Sequence, residues 1–187
     1  MRTPATDASR FRTAFPLVLS LIATPVTAQV AAPATAKAED VASIDAILQA
    51  LYDVISGPIG QARDWDRFRS LFLPEARLVA TGKAPDGSAR YRPMTPDGYI
   101  EGNAEGLVSV GFTEREVARR LEQFGNVAHA FSTYESKLTR QGQPTTQRGI
   151  NSIQLFNDGR RWWILSVFWD SERPDNPIPP QYLKSGN

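Results

Sequence analysis

The chain contains no cysteine and a single histidine, His129. The first absence excludes a disulfide framework, a thiol nucleophile and a thiolate metal site. The second excludes a multi-histidine metal site, and any serine–histidine–acid triad would have to run through His129. There is also no Gly-rich phosphate loop, no paired metal-ligand spacing and no nucleophile elbow. Neither a metal nor a cofactor is therefore expected. What remains is ordinary for a globular chain of 187 residues, 41% hydrophobic and 22% charged, a length that favours one domain.

The first residues read as an export signal. Arg2, Arg10 and Arg12 give a basic start, and Ala14–Ala23 is an apolar run too short to cross a bilayer as a helix. Val26-Thr27-Ala28 supplies the small residues that a signal peptidase prefers, so cleavage is expected after Ala28. Arg10-Phe11-Arg12 lacks a twin-arginine pair, and with no cysteine no lipid is attached at the cut. Residues 1–28 are thus expected to direct the chain to the periplasm or outside the cell, with no membrane association afterwards. Their removal deletes three Arg and one Asp, leaving 18 basic and 19 acidic residues and a formal net charge of −1. The whole-chain value of +1 therefore gives no reason to expect nucleic-acid binding.

Residues 29–39 are Ala/Pro-rich and read as a flexible leader, and residues 40–172 read as the folded domain. Asp40 opens a helical pattern with Val41, Ile44, Leu48, Leu51 and Ile55 on one stripe. Ser56-Gly57-Pro58 stops it. Asp64 caps a shorter helix in which Trp65, Phe68, Leu71 and Phe72 share a face, ended by Pro74. Ala76–Thr81 and Arg90-Tyr91-Arg92 suit two short strands around the Pro85-Asp86-Gly87 turn. Thr95-Pro96-Asp97 is a third helix start, with a hydroxyl cap and Pro at the first helical position.

Three strand-like runs follow, Asn126–Lys137, Gly149–Phe156 and Trp162–Trp169, the last two joined by the hairpin signal Asn157-Asp158-Gly159. Thr113–Gln123 is ambiguous, because Glu116 and Arg120, and Val117 and Leu121, are spaced as in a helix. Residues 173–187 carry Pro174, Pro177, Pro179 and Pro180 and read as an extended, largely irregular tail. The order predicts an α+β fold, helices covering one face of a mostly antiparallel sheet.

Asp64–Leu78, Phe124–Ser136 and Gly149–Trp169 together resemble the nuclear transport factor 2-like superfamily, the cone fold of ketosteroid isomerases and polyketide-cyclase-like proteins. The resemblance runs from about Asp40 to Trp169. It implies a curved sheet closed by three helices in the order α-α-β-β-α-β-β-β-β, with Thr113–Gln123 as a strand. A sheet can override local helical spacing, and that reading is adopted here. The resemblance says little about activity, since this fold hosts many. It aligns Tyr52 with the isomerase tyrosine and Trp169 with a pocket tryptophan. The base position falls near Ala80 and the oxyanion acid near Ser152, neither a carboxylic acid, so isomerase activity is not expected.

The catalytic candidates are His129, Tyr52 and Tyr134; the ligand-binding candidates are Tyr52, His129, Asn151, Ser152 and Trp169. His129 has the titration range of a general base, yet a lone histidine in an apolar strand more often has a structural role. Asn151 and Ser152 are polar groups in an apolar strand, suited equally to orienting a ligand or to an internal hydrogen bond. Trp162 and Trp163 must face opposite sides. The alternating charges of Glu114–Glu122 read as a solvated, paired face. Three functions are compatible: binding of a small apolar ligand, a cyclase-, dehydratase- or hydratase-type enzyme using His129 with Tyr52 or Tyr134, and an interaction module that dimerises through its sheet face.

Overall fold

The computed structural model describes residues 35–185; the expected export signal at 1–28 lies outside the described residues. The stripe that begins at Asp40 is cut in two. Ser43 adopts an extended backbone and its Oγ accepts the N–H of Ala46, so it caps a helix instead of continuing one. The result is a four-residue turn, α1 (Ala38–Val41), followed by α2 (Ile44–Ile55). Asp40, expected to be the cap, instead takes two hydrogen bonds of 2.7 Å from the Arg67 guanidinium. This fork ties α1 to α3 (Trp65–Ser70).

A six-stranded sheet follows in the order β2-β1-β6-β5-β4-β3. β1 (Phe72–Lys83) begins earlier than the sequence pattern suggests and contains Pro74. Its register against β6 (Trp162–Ser171) breaks between Phe72 and Arg77, where Pro74 supplies no N–H. This pairing is parallel; the other four are antiparallel. β2 (Ala89–Met94) returns from the turn at Gly87, and α4 (Pro96–Val110) is capped by Thr95 Oγ1 on the N–H of Gly98.

The ambiguous segment is a strand. β3 (Thr113–Phe124) pairs along β4 (Val127–Arg140), with a bulge at Val117. Helical spacing loses there because a row of backbone bonds to β4 outweighs pairs of side chains worth a few tenths of a kcal/mol each. Left-handed Gly111 ends α4, and Gly125, also at positive φ, turns β3 into β4. β5 (Gln143–Asn157) completes the sheet, and the expected Asn157-Asp158-Gly159 turn joins it to β6.

The helices pack on one sheet face only. Ile47, Leu48, Phe68, Leu71, Ile153 and Ile164 are fully buried between the layers. Trp162 is in this core, while Trp163 lies on the outer face with its Nε1–H on Asp158. The tail is irregular except for an isolated bridge between Arg173 and Asn176 and one 3₁₀ turn, Pro180–Tyr182, but it is not free. It folds back over the outer face, where Thr133 Oγ1 donates to the Tyr182 carbonyl at 2.6 Å and Ile178 is buried. No helix among the described residues is long and apolar enough to cross a membrane.

Candidate functional site

Strand parity decides which candidates meet. In β4 the inward positions are Ala128, Ala130, Ser132, Tyr134 and Ser136, all buried; in β5 they include Gly149, Asn151, Ile153 and Leu155. Ser132 stands opposite Asn151, and Asn151 opposite Trp169 of β6. α2 crosses this face and drops Tyr52 between them. The Tyr52 hydroxyl lies 2.7 Å from Ser132 Oγ and accepts a hydrogen bond from Asn151 Nδ2 at 3.1 Å. Ser132 in turn donates to Glu116. A serine has one proton, so Tyr52 must donate its own to Ser132. The chain Asn151 to Tyr52 to Ser132 to Glu116 is then fully satisfied.

This arrangement occupies Tyr52. Its single proton is spent inside the protein, and burial holds its ionisation above the usual phenol range. Tyr52 fixes Asn151 and Ser132; it does not present a free donor.

His129 and Ser152 lie elsewhere. Both hold outward positions, with His129 Nε2 2.9 Å from Ser152 Oγ, beside the Phe131 ring. The histidine therefore shares no cavity with Tyr52 or Tyr134, because odd-numbered residues of β4 point away from the helices. Ser152 instead lines a groove of about 350 Å³ between the outer sheet face and the tail. That groove contains Asp170 and Glu172, each already paired with an arginine, Arg173 and Arg148 respectively.

The inner cavity is smaller, about 210 Å³, and chemically sharper. Leu51 and Ile55 of α2, Phe68 of α3 and Tyr99 and Leu107 of α4 form its apolar wall. Glu114, Tyr134, Asn151, Val167 and Trp169 form its sheet side. Tyr134 bonds Ser171 at 3.1 Å, and burial pushes its phenol up to about 12. The phenol fits only because residue 149 is glycine: a Cβ there would stand 2.4 Å from the Tyr134 hydroxyl and 2.4 Å from the Asp170 carbonyl. Gly149→Ala is therefore expected to destabilise the fold by roughly 1–3 kcal/mol in urea unfolding and to tilt Tyr134 into the cavity.

Glu114 is the residue that the sequence reading missed. Its backbone N–H donates to Ser56 Oγ at 2.8 Å, which fastens the start of β3 to the end of α2. Its side chain enters the cavity, where Asn151 Nδ2 approaches Oε1 at 3.4 Å. Burial pushes its carboxyl up to about 7, and the asparagine offsets this only in part. The signal lay in strand parity. Once Thr113–Phe124 is a strand, Glu114 and Glu116 must share a face opposite Arg115, which pairs outward with Glu135. The bulge at Val117 hides this, because it shifts the inward set from 114 and 116 to 119 and 121. Among the described residues no three His, Cys, Asp or Glu side chains converge as metal ligands.

No family model and no curated protein matches the chain. Solved structures do. A nuclear transport factor 2-like superfamily protein from Salmonella enterica is 17% identical, covering 73% of this chain and 87% of its own, at a TM-score of 0.50. LinA is 11% identical over 74% of this chain and 92% of its own, at 0.54. A protein from Exiguobacterium sibiricum, described as a calcium/calmodulin-dependent kinase II association domain, is 10% identical over 70% and 92%, at 0.52. At these identities the likeness is one of fold, and the fold is nuclear transport factor 2-like.

Proposed function

We propose that this chain is an exported protein of the nuclear transport factor 2-like fold that holds a small, mostly apolar molecule in the inner cavity. The observation that carries the reading is the cavity itself: an apolar wall of about 210 Å³ against which a few polar groups, Glu114, Asn151 and Tyr134, converge. Such a site orients one polar end of a ligand and buries the rest. Export rests on the N-terminal signal and not on the fold.

An enzymatic reading is favoured by one observation. A carboxyl poised at about pH 7 inside an apolar cavity suits general acid–base work, so that role passes from His129 to Glu114. A dimer through the sheet face is favoured by Leu165 and Phe168, both exposed on the outer side of β6. Native mass spectrometry of the mature protein recovered from its own cell envelope addresses these readings together. A reproducible adduct of one small molecule is expected, and its loss on Tyr99→Ala, a residue of the inner cavity alone, would locate it. Repeated recovery of unliganded protein, with no adduct in any preparation, would count against the binding reading, whatever the subunit number.

A further inference from the structure

The inner cavity holds an acid and no base. Glu114 is the one carboxyl on its wall, and no Lys, Arg or His lines it. The charged and titratable groups around Glu114 can be traced element by element. α2 presents Tyr52, α4 presents Tyr99 and β4 presents Tyr134, all phenols held neutral by burial. β3 adds Glu116, which is engaged by Ser132 and by Arg119, the arginine itself shared with Asp45. β5 and β6 offer the neutral Asn151 and Trp169. Oε2 of Glu114 takes no hydrogen bond from the protein among the described residues, and Oε1 takes one long one. A half-buried carboxyl with no countercharge is a costly feature unless something else supplies the charge.

The second observation is the lining. Phe68, Tyr99, Phe112, Tyr134 and Trp169 all contribute to the cavity wall. Aromatic faces attract cations, by about 0.5–2 kcal/mol each depending on desolvation. An anion would meet Glu114 head on, and a neutral hydrocarbon would desolvate it further.

We infer that the inner cavity is built for a compact organic cation, an alkylammonium group set against Glu114 and enclosed by aromatic side chains. The inference rests on the reading that this cavity takes a small molecule, and it names the chemical class of that molecule. Glu114 is the countercharge; Asn151, held by Tyr52, keeps its carboxyl turned into the cavity. The quaternary head group is the sharper probe, because its charge does not change with pH.

The test compares choline with its neutral isostere 3,3-dimethylbutan-1-ol by calorimetry, with the Tyr99 ring and Leu107 methyl resonances, which line the inner cavity and not the outer groove, as the reporters of location. At pH 8 choline is expected to bind at least about tenfold more tightly than the alcohol. At pH 5.5, where Glu114 carries its proton, the two are expected to bind within about twofold of each other. Glu114→Gln is expected to give that same near-equality at both pH values. This variant should fold well, since it removes a buried charge. Equal binding of the alcohol at pH 8, or a choline advantage that survives Glu114→Gln, would overturn the cation inference while leaving the cavity as a binding site. If neither compound moves the Tyr99 and Leu107 resonances, the cation inference falls, and the binding reading then stands or falls on the adduct recovered by native mass spectrometry.

Discussion

Glu114→Gln is expected to raise the melting temperature at pH 8 by roughly 5–10 °C and to leave it nearly unchanged at pH 4. The direction follows from the proton balance. In the unfolded chain the carboxyl titrates near its ordinary value of 4.5; in the fold burial moves it to about 7. Between these values the folded protein holds a proton that the unfolded chain has released. Stability therefore falls as pH rises through that window, and the whole penalty is present above it. A shift of this size corresponds to about 3 kcal/mol, less whatever water relaxation inside the cavity returns. Glutamine keeps the shape and the contact with Asn151 and carries no charge. Glu116, also raised by burial, should leave a residual slope of the same sign in the variant. A charge that weakens the fold and sits in a cavity is the pattern of a functional group, because stability and activity trade against each other at such positions.

Arg63→Leu is expected to cost roughly 3–5 kcal/mol of unfolding free energy, the largest loss of any single substitution considered. Arg63 is buried and has no carboxylate partner among its contacts. Its guanidinium bonds carbonyls instead: Ile55 at 3.0 Å, Gly57 at 2.7 Å and Leu107 at 3.1 Å, together with those of Gln61 and Phe112. Ile55 ends α2 and Leu107 lies in the last turn of α4. One side chain thus caps two helix C-termini, where a cation is favoured. Gly57 makes the approach possible, since a Cβ there would stand 2.5 Å from the Arg63 guanidinium.

Two effects compete in that variant. Removing a buried charge relieves its desolvation, which pulls its ionisation down even here. Against this, the buried Ile55 carbonyl loses a charge-assisted donor, worth about 1–3 kcal/mol, and the part-buried carbonyls of Gly57, Leu107 and Phe112 lose theirs at a smaller cost each. The second effect dominates because leucine can satisfy none of them. Arg63→Lys should recover only part of the loss, as an ammonium cannot reach both helix ends with one planar fork. Ile55 and Leu107 wall the inner cavity, so the leucine variant should also weaken ligand binding at temperatures where it is still folded. Urea unfolding of the three proteins measures the order; equal midpoints for wild type and Arg63→Leu would contradict it.

The fold was largely written in apolar periodicity and turn chemistry. Leu48, Leu51 and Ile55 mark α2, Thr95-Pro96 starts α4, and Asn157-Asp158-Gly159 turns β5 into β6. These are local signals, and local signals survive in a string of letters. The split at Ser43 was less legible, because a serine within an apolar stripe serves equally as a helix residue or as a cap. The anchored tail left no trace, since its contacts with Thr133 and Arg120 lie some 50–60 positions away in the chain.

The site was read only in part. Asn151 and Trp169 meet in the inner cavity, and Tyr134 reaches it. Tyr52 supports the cavity from behind Asn151, whereas His129 and Ser152 face the other way. Facing is a property of register, fixed by pairing across strands, so no residue of β4 announces its own side. Glu114 was hidden more deeply. Its run of alternating charges has the look of a solvated surface, and only the pairing of β3 with β4, bulge included, turns two of those acids inward.

The most direct check on the account is an NMR titration of the Glu114 side-chain carboxyl in the free mature protein, repeated with choline present. A midpoint near 7 that moves down by a unit or more when choline is added would be the expected result. A midpoint near 4.5, indifferent to choline, would mean that the carboxyl is fully solvated and that the cavity does not hold the poorly hydrated charge on which the account depends.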